Sequence, residues 1–444
     1  MSALSPQALT LIMLGSLLVL VFSGFPIGYI IGGIALLVGI LVWGVDVGQL
    51  FYIRMYGYAT GYIILALPLF VFMGVMLEHS GITEKMYDTL YLWLGSFRGG
   101  LAVVTVLLGT ILAACVGVIA ASVTMLSLVA LPSMLKHGYS KSLATGATVA
   151  GGCLGIVIPP SIMLVVYGPM AGVSVGKLFA GAVVPGLIMS SLYITYISIR
   201  SHFQPALAPV VPAGELKVSW AKKAKMLVTS TLPVLVLLVS VLGVIFLGIA
   251  PPTEAAGVGA FMSIVLVIAY RRFSFKVLGK VGLTTLRVCG YCCLIMAMAG
   301  AFTSVFLGVG GKDIVVNFLL SVPGGRWGSF TAIMLILLVL GMFINWLGIV
   351  FLMVPIISPL AAQLGFDPLW FGIMVCVNLH MAFMTPPVAG AIFICKGICT
   401  PEMGVSMADI IRGVWPFVLL VVTALALCIA FPDLITWLPS KMIG

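Results

Sequence analysis

Two stretches of sequence decide the fold. The first is Gly151-Gly152-Cys153-Leu154-Gly155-Ile156-Val157-Ile158-Pro159-Pro160-Ser161, and the second is Met384-Thr385-Pro386-Pro387-Val388-Ala389-Gly390. Each places two consecutive prolines inside apolar surroundings. Because proline has no amide hydrogen and clashes with a preceding carbonyl, each pair breaks a helix and frees backbone oxygens. The chain therefore carries two helix breaks of the same kind, 227 residues apart.

Composition places both breaks in a membrane. Of the 444 residues, 62% are apolar and 7% are charged, and the mean hydropathy is +1.30. Soluble domains are about 45–50% apolar and roughly 25% charged. Apolar runs of about 18 residues or more, enough to cross a bilayer core, recur along the chain. Only helices and closed barrels satisfy their backbone groups in lipid, and the alternation typical of barrel strands is absent. We therefore expect an all-α polytopic membrane protein.

The net charge of +10 has a simple explanation in such a protein. Basic residues in short loops set the orientation of the spans, because cytoplasmic loops carry an excess of Lys and Arg. We therefore expect the lipid bilayer as a partner and no nucleic acid.

The two halves of the chain repeat. The offset of 227 that relates the Pro-Pro pairs also relates Pro132 to Pro359, and Gly138-Tyr139 to Gly365-Phe366. Ordered coincidences at one offset indicate duplication, which is typical of repeat-built transporters. We expect a first repeat over 1–200, a cytoplasmic linker over 201–225 and a second repeat over 226–444.

Each repeat has the same predicted parts. In the first, these are scaffold spans over 8–77, an interfacial arm over 83–97, a hairpin over 100–135, a broken helix over 139–170 and a span over 174–200. In the second, they are scaffold spans over 227–309, an arm over 312–322, a hairpin over 328–363, a broken helix over 367–398 and a span over 407–431.

The two hairpin segments determine the topology. Each is too long for one helix and too short for two full spans, and each has glycines near its middle. Re-entrant backbone is tolerated where protein or water lines it. With two re-entrant hairpins, each half has an odd number of spans, and the second half is inverted. If the linker is cytoplasmic, 16 of the 21 Lys and Arg residues fall on the cytoplasmic side. This bias predicts that both termini lie outside.

Four places bring polar, irregular backbone to mid-membrane: the two hairpin middles and the two prolyl breaks. Broken helices offer carbonyl oxygens to a cation and amide groups to an anion, and hard cations such as sodium prefer oxygen ligands. The candidate sodium ligands are Gly117, Ser122, Gly155, Pro159, Gly341, Asn345, Gly348, Thr385 and Pro386. The candidate substrate-binding residues are Ser122, Pro160, Ser161, Asn345, Thr385 and Pro387. Asn345, Asn378 and His380 lie in apolar surroundings and need hydrogen-bond partners.

Other function classes fit the sequence less well. No Walker-type motif is present, so we expect no ATP hydrolysis, and no catalytic constellation appears at depth. The cysteine spacings lack the further ligands of a zinc site, so no metal beyond sodium and no cofactor is expected. An ion or solute channel stays open as an alternative, because hairpins also build selectivity filters.

Several motifs resemble one family. The run Ala130-Leu131-Pro132-Ser133-Met134-Leu135-Lys136-His137-Gly138-Tyr139, the run Ala150–Ser161, Tyr167-Gly168, Leu67-Pro68-Leu69-Phe70 and Met384–Pro387 are similar to the large membrane subunit (DctM-like) of tripartite ATP-independent periplasmic (TRAP) transporters. The hairpin tip Gly117-Val118-Ile119-Ala120-Ala121-Ser122 departs from the Gly-Ser-Ser-like tip of many members, which leaves Ser122 as its best hydroxyl.

The resemblance implies a function. It implies an inverted-repeat, elevator-type transporter, like those of the ion transporter superfamily, that imports a small organic anion (a carboxylate or sulfonate) by sodium symport across the bacterial inner membrane. It also implies two partners: a separate small four-helix membrane subunit and a soluble periplasmic substrate-binding protein. An elevator-type anion symporter outside this family, working without a binding protein, is the other alternative.

Overall fold

The computed structural model describes residues 4–117 and 119–442, and within these ranges it contains helices and no strand. The helices of the first half are α1 (Pro6–Val21), α2 (Ile27–Trp43), α3 (Val47–Ala59), α4 (Ala66–Glu78), α5 (Ile82–Leu94), α6 (Gly100–Val116), α7 (Ile119–Lys136), α8 (Lys141–Cys153), α9 (Ile162–Ala171) and α10 (Val175–Phe203). Those of the second half are α11 (Trp220–Met226), α12 (Leu232–Phe246), α13 (Pro252–Ala269), α14 (Phe275–Gly308), α15 (Gly311–Leu320), α16 (Gly325–Phe343), α17 (Trp346–Gln363), α18 (Pro368–Met384), α19 (Gly390–Ile398), α20 (Met407–Ala430) and α21 (Asp433–Ser440). The predicted all-α class is confirmed.

Membrane-crossing helices dominate this fold. In the described ranges, nine helical segments are long and apolar enough to span a bilayer. The pair α4 and α5, bent by 60° at its junction, would raise the number to ten if it were one span. The chain is therefore a polytopic membrane protein, as its composition predicts.

Two helices were not anticipated from the sequence. The short helix α3 follows α2 after a tight turn at Gly44–Asp46, where Gly44 has a φ of 66° that favours glycine. Helix α4, the last of the scaffold helices predicted over 8–77, therefore begins only at Ala66. The helix α21 follows α20 at the C-terminal end. Both helices lie where aromatic residues interrupt the long apolar runs that sequence analysis recognises.

Four interruptions occur within the polar stretches singled out by the sequence. Helices α6 and α7 are separated at Gly117, which has left-handed backbone with a φ of 61°. Helices α16 and α17 are separated at Ile344 and Asn345. After α8, one turn of tighter helix (Leu154–Ile156) leads into irregular backbone before α9. The second broken helix is interrupted between Met384 and Gly390, and both Pro-Pro bonds are cis.

Helix packing follows the same scheme in both halves. Helix α4 packs on α13, and α2 packs on α14. Helix α6 packs on α8, and α16 packs on α18. The second leg of each hairpin packs on the helix that follows the break of the other half, so α7 meets α19 and α17 meets α9. Each contact therefore has a counterpart between the corresponding helices of the repeat.

The bases of the two hairpins lie at opposite ends of the molecule. A Cβ built on Gly99, at the base of the first hairpin, would lie 2.8 Å from the Cβ of Ser201, near the end of α10. At the base of the second hairpin, Trp327 stacks edge-on against Trp370, whose Nε1 donates to the carbonyl of Cys428 near the end of α20.

Helix α10 fixes the distance between these two ends. Gly181, near the start of α10, approaches Ile435, just beyond the end of α20. Twenty helical residues separate Gly181 from Ser201, which corresponds to about 30 Å at roughly 1.5 Å per residue. The two hairpins therefore enter the protein from opposite directions.

The linker between the halves is packed against the base of the first hairpin. Its backbone bonds the hairpin base at two points, from Gly99 N to Ala208 O at 3.2 Å and from Ser140 N to Leu207 O at 2.8 Å. Glu215 accepts a hydrogen bond from the Tyr91 hydroxyl at 2.7 Å and lies 3.3 Å from His137 Nε2. The bonds from Tyr91 and His137 lower the pKa of the Glu215 carboxyl. The linker thus ties the arm α5 to the hairpin.

Candidate functional site

The tip of the first hairpin lies against the first prolyl break. A Cβ built on Gly117 would lie 3.4 Å from the carbonyl oxygen of Pro160 and 3.3 Å from Cγ1 of Ile162. Because Gly117 also has left-handed backbone, a side chain here would be strained as well as crowded. Two of the predicted site residues, Gly117 and Pro160, are therefore brought together.

We call the tip of the first hairpin together with the first prolyl break the first lobe, and the tip of the second hairpin together with the second prolyl break the second lobe. Ser122 has the most informative side chain of the first lobe. It is fully buried, and its Oγ has no hydrogen-bond partner among the residues that the structure describes. That oxygen lies 3.6 Å from a Cβ built on Gly155, so it faces the glycine of the break across a short gap. Buried hydroxyls are nearly always hydrogen-bonded. An oxygen left without a protein partner beside an irregular backbone is a position from which a ligand can be held.

The other residues of the first break are enclosed. Pro159 and Pro160 are buried, and so is Ser161, whose hydroxyl donates to the carbonyl of Ile156. The Ser161 oxygen can accept a further hydrogen bond or contact a cation, but its proton is already committed. The first lobe thus combines one free hydroxyl, one committed hydroxyl and a buried run of irregular backbone.

The second lobe is more open. Thr385 is buried, and its hydroxyl donates to Met381 O at 2.7 Å. Pro386 is half-buried and Pro387 is exposed, in contrast to the buried prolines of the first break. A Cβ built on Gly341, near the hairpin tip, would lie 2.5 Å from the Cβ of Ala382. The second hairpin therefore packs on the last turn of α18, next to its own break.

Two predicted residues of the second hairpin have other contacts. Asn345 caps α17, since its Oδ1 accepts from Leu347 N at 3.0 Å, and its side-chain amide remains able to donate. Gly348 faces helix α2, because a Cβ built there would lie 3.3 Å from Cγ1 of Ile27. The structure does not bring Gly348 to the break; its absent side chain allows a close approach of the hairpin to α2.

The polar residues that needed partners have them. Asn378 Nδ2 donates to Met334 O at 2.9 Å and joins α18 to α16. His380 is fully buried, with Nδ1 2.9 Å from Cys153 O and Nε2 3.0 Å from the Tyr193 hydroxyl. Because a carbonyl only accepts, Nδ1 carries the proton and Nε2 accepts from tyrosine. His380 therefore joins α18 to the end of α8, directly before the first break.

The sequence repeat contains a signal for this contact. His380 and Cys153 are separated by 227 residues, the offset of the repeat, so they occupy corresponding positions in the two halves. Residues near a two-fold axis contact their own counterparts. The partner Tyr193 carried no comparable signal, because it lies in an ordinary apolar span.

We expect His380→Leu to destabilise the protein strongly. The change leaves the carbonyl of Cys153 and the hydroxyl of Tyr193 buried without partners, at roughly 1–3 kcal/mol for each group. Thermal unfolding in detergent measures the loss, and Tyr193→Phe should lose less because it leaves only one acceptor unpaired. A double-mutant cycle should give a coupling of about 0.6–1.7 kcal/mol between the two residues. Additive effects would contradict this pairing.

The chain matches one protein family over most of its length. Residues 14–434 match the family described as "Tripartite ATP-independent periplasmic transporter, DctM component". The chain is 32% identical, over 87% of its length and 88% of the relative's, to the C4-dicarboxylate TRAP transporter large permease protein DctM of Vibrio cholerae. It is 29% identical, over 90% of its length and 92% of the relative's, to the protein of the same name from Pseudomonas aeruginosa.

A solved structure shares the fold. The crystal structure of the Alcanivorax borkumensis YdaH transporter is similar with a TM-score of 0.60 at 14% sequence identity, covering 96% of this chain and 98% of that one. The similarity extends over nearly the whole of both chains, so hairpins, breaks and spans belong to one continuous fold.

Proposed function

This chain belongs to the DctM family, the large permease component of tripartite ATP-independent periplasmic transporters, and from that premise we propose that it imports a small organic anion by sodium symport. The family membership confirms the resemblance carried by the Pro-Pro breaks, and it makes the chain a transporter subunit and not an enzyme. The substrate class, a carboxylate or sulfonate, is supported by the C4-dicarboxylate permeases among its relatives.

The main support for sodium coupling is the environment of the Ser122 hydroxyl. Its buried hydroxyl oxygen has no hydrogen-bond partner in the described part of the chain and faces Gly155 at the contact between hairpin tip and break. Sodium is a hard cation that takes neutral oxygen ligands. We place a cation here, with Ser122 and backbone oxygens of Gly117, Gly155 and Pro159 as ligands. Gly341, Asn345, Thr385 and Pro386 form the corresponding second site, and we leave Gly348 out of it because this glycine packs against α2.

The substrate binds between the two lobes in this proposal. Ser161 and Thr385 offer hydroxyls beside the prolyl breaks, and Ser122 and Asn345 lie at or near the two tips. Pro160 and Pro387 would contact the substrate from the two breaks. Pro387 is exposed whereas Pro160 is buried, which supports a protein in which one lobe is open while the other is closed. A transport domain that carries both hairpins across a fixed scaffold, the elevator mechanism, would expose the lobes alternately.

Two partners and one location complete the proposal. A separate small membrane subunit extends the scaffold, and a soluble periplasmic protein delivers the anion. The complex lies in the bacterial inner membrane with both termini of this chain outside. The opposite directions of the two hairpins and the matching helix contacts in the two halves support an inverted repeat.

We expect uptake into proteoliposomes to require an inward sodium gradient, the binding protein and the small subunit together. Replacing sodium by potassium at a constant proton gradient should abolish accumulation of the anion, since no other driving ion has a ligand set in this proposal. Each component is omitted in turn as a control.

Three outcomes would contradict the proposal in different ways. Strong uptake in potassium would exclude sodium coupling. Undiminished uptake without the binding protein would favour a symporter that works alone. Equilibration of the anion without accumulation would favour a channel.

A further inference from the structure

A cavity with polar and apolar walls lies away from the tips and breaks. It has a volume of about 520 Å³ and lies between α3 and α14 on one side and α9 and α17 on the other. Its polar lining comes from Arg54 and Tyr58 of α3 and from Thr303 and Ser304 of α14. The opposite wall, formed by Pro169, Met170 and Pro355, is apolar.

Arg54 provides an unpaired positive charge at this cavity. Its side chain is exposed, and within residues 4–117 and 119–442 no carboxylate lies within 4.0 Å of it. A guanidinium presents its N–H groups in a planar fork that matches a carboxylate or another oxyanion. No acidic residue lines the cavity, so the field inside it is positive.

Tyr58 adds a nearly free hydroxyl donor. Arg54 and Tyr58 are four residues apart in one helix and therefore lie on the same face. The Tyr58 hydroxyl is 3.8 Å from the sulfur of Met170, and a thioether is a weak acceptor. The ring lies against Gly300, where a built Cβ would be 2.9 Å from the hydroxyl oxygen. The absence of a side chain at Gly300 thus makes room for this tyrosine.

The two hydroxyls of α14 line the cavity beside this donor pair. Thr303 Oγ1 donates to Phe351 O over 3.3 Å, a long bond that an incoming anion can replace. Ser304 Oγ donates to Gly300 O at 3.0 Å. A guanidinium, a phenol and a threonine hydroxyl thus surround a space large enough for a small anion.

An apolar constriction separates this cavity from the first break. Pro169 and Met170 also line a small adjoining space of about 20 Å³, whose other walls include Val165, Met296 and Phe351. Helix α9 leads from there back to the break at Ser161. The 520 Å³ cavity and the first break therefore lie at opposite ends of α9.

We propose that this cavity is an outer anion subsite, in which Arg54 and Tyr58 hold the carboxylate or sulfonate before it reaches the prolyl breaks. The inference rests on the proposed function, because it assumes that the transported molecule is an organic anion. The location fits, since the Tyr58 hydroxyl of α3 contacts Met170, five residues before the start of α10, whereas the other end of α10 leads into the linker. In the inverted topology that end faces outside.

The test compares Arg54→Gln, Arg54→Lys and Lys177→Gln in the complete proteoliposome system. Lys177 is an exposed cation at the same end and outside the cavity lining, so its variant matches the change in charge. We expect Arg54→Gln to raise the KM for the anion about tenfold or more, with the maximal rate and the sodium dependence unchanged. Arg54→Lys should show a smaller increase, because an ammonium lacks the planar fork, and Lys177→Gln should match the wild type.

Two results would overturn the subsite. One is an unchanged KM for the anion in Arg54→Gln. The other is a rise only in the concentration of binding protein needed for half-maximal uptake, at saturating anion, which would make Arg54 a docking contact for that protein. Failure of the proposed function is distinguishable, since the wild type itself would then not accumulate the anion.

Discussion

Replacing Ser122 by alanine should leave the protein folded while raising the sodium concentration for half-maximal uptake about tenfold or more, which corresponds to roughly 1.4 kcal/mol. The reason is the state of the hydroxyl. It is buried without a hydrogen-bond partner among residues 4–117 and 119–442, so the alanine variant loses no hydrogen bond to these residues. Leaving a buried polar group unpaired costs roughly 1–3 kcal/mol, and removing it should therefore not lower the melting temperature in sodium-free buffer.

The effect of sodium on thermal stability should also distinguish the wild type from Ser122→Ala. A cation that binds only the folded state raises its stability by mass action. Wild-type protein should therefore gain thermal stability on addition of sodium, and Ser122→Ala should gain less at the same concentration. Uptake assays and thermal unfolding thus report on one binding event independently.

Ser201→Ala is the matched control. Ser201 is also fully buried, and its hydroxyl also lacks a hydrogen-bond partner in the described part of the chain, but it lies at the base of the first hairpin. Its alanine variant should keep the sodium dependence of the wild type. An unchanged sodium requirement in Ser122→Ala, or an equal shift in both variants, would remove Ser122 from the cation site.

The predictable parts of this structure are those with local signals. Prolines 159, 160, 386 and 387 cannot continue a helix, and Gly117 supplies left-handed backbone, so the breaks could be located from residue types alone. The spans could also be predicted from local sequence. A segment in lipid must satisfy its own backbone groups as a helix, so a long apolar run indicates a membrane-spanning helix.

The directions in which the side chains of the site point could not be predicted from the sequence. Nothing in the sequence of the second hairpin shows that Gly348 faces α2, or that the side-chain oxygen of Asn345 accepts a hydrogen bond as the cap of α17. These facts depend on how helices distant in sequence pack together. The orientation of Ser122 toward Gly155 is of the same kind.

Arg54 and Tyr58 were missed for a different reason. They lie in a short aromatic helix that falls between two strongly apolar runs, and its polar face is recognisable only once α14 lies against it. A charged residue four positions from a tyrosine was the available signal, but by itself it fits any interfacial helix.

The inverted topology makes an all-or-none prediction. Lys136 and Gln363 are the last residues of α7 and α17, both are exposed, and they are 227 residues apart, so they correspond under the repeat. An even number of spans per half would put them on the same side of the membrane, and an odd number puts them on opposite sides. Transport through a site between two oppositely directed hairpins requires the second arrangement.

Thiol labelling of these two positions is a direct test of the inverted topology. Lys136→Cys and Gln363→Cys are placed singly in a background lacking the nine native cysteines, and intact cells are treated with a membrane-impermeant thiol reagent. Permeabilised cells, in which both positions should react, are the control. We expect labelling of position 363 and protection of position 136 in intact cells. Equal labelling of the two positions, or labelling of 136 alone, would contradict the inverted topology and the site built on it.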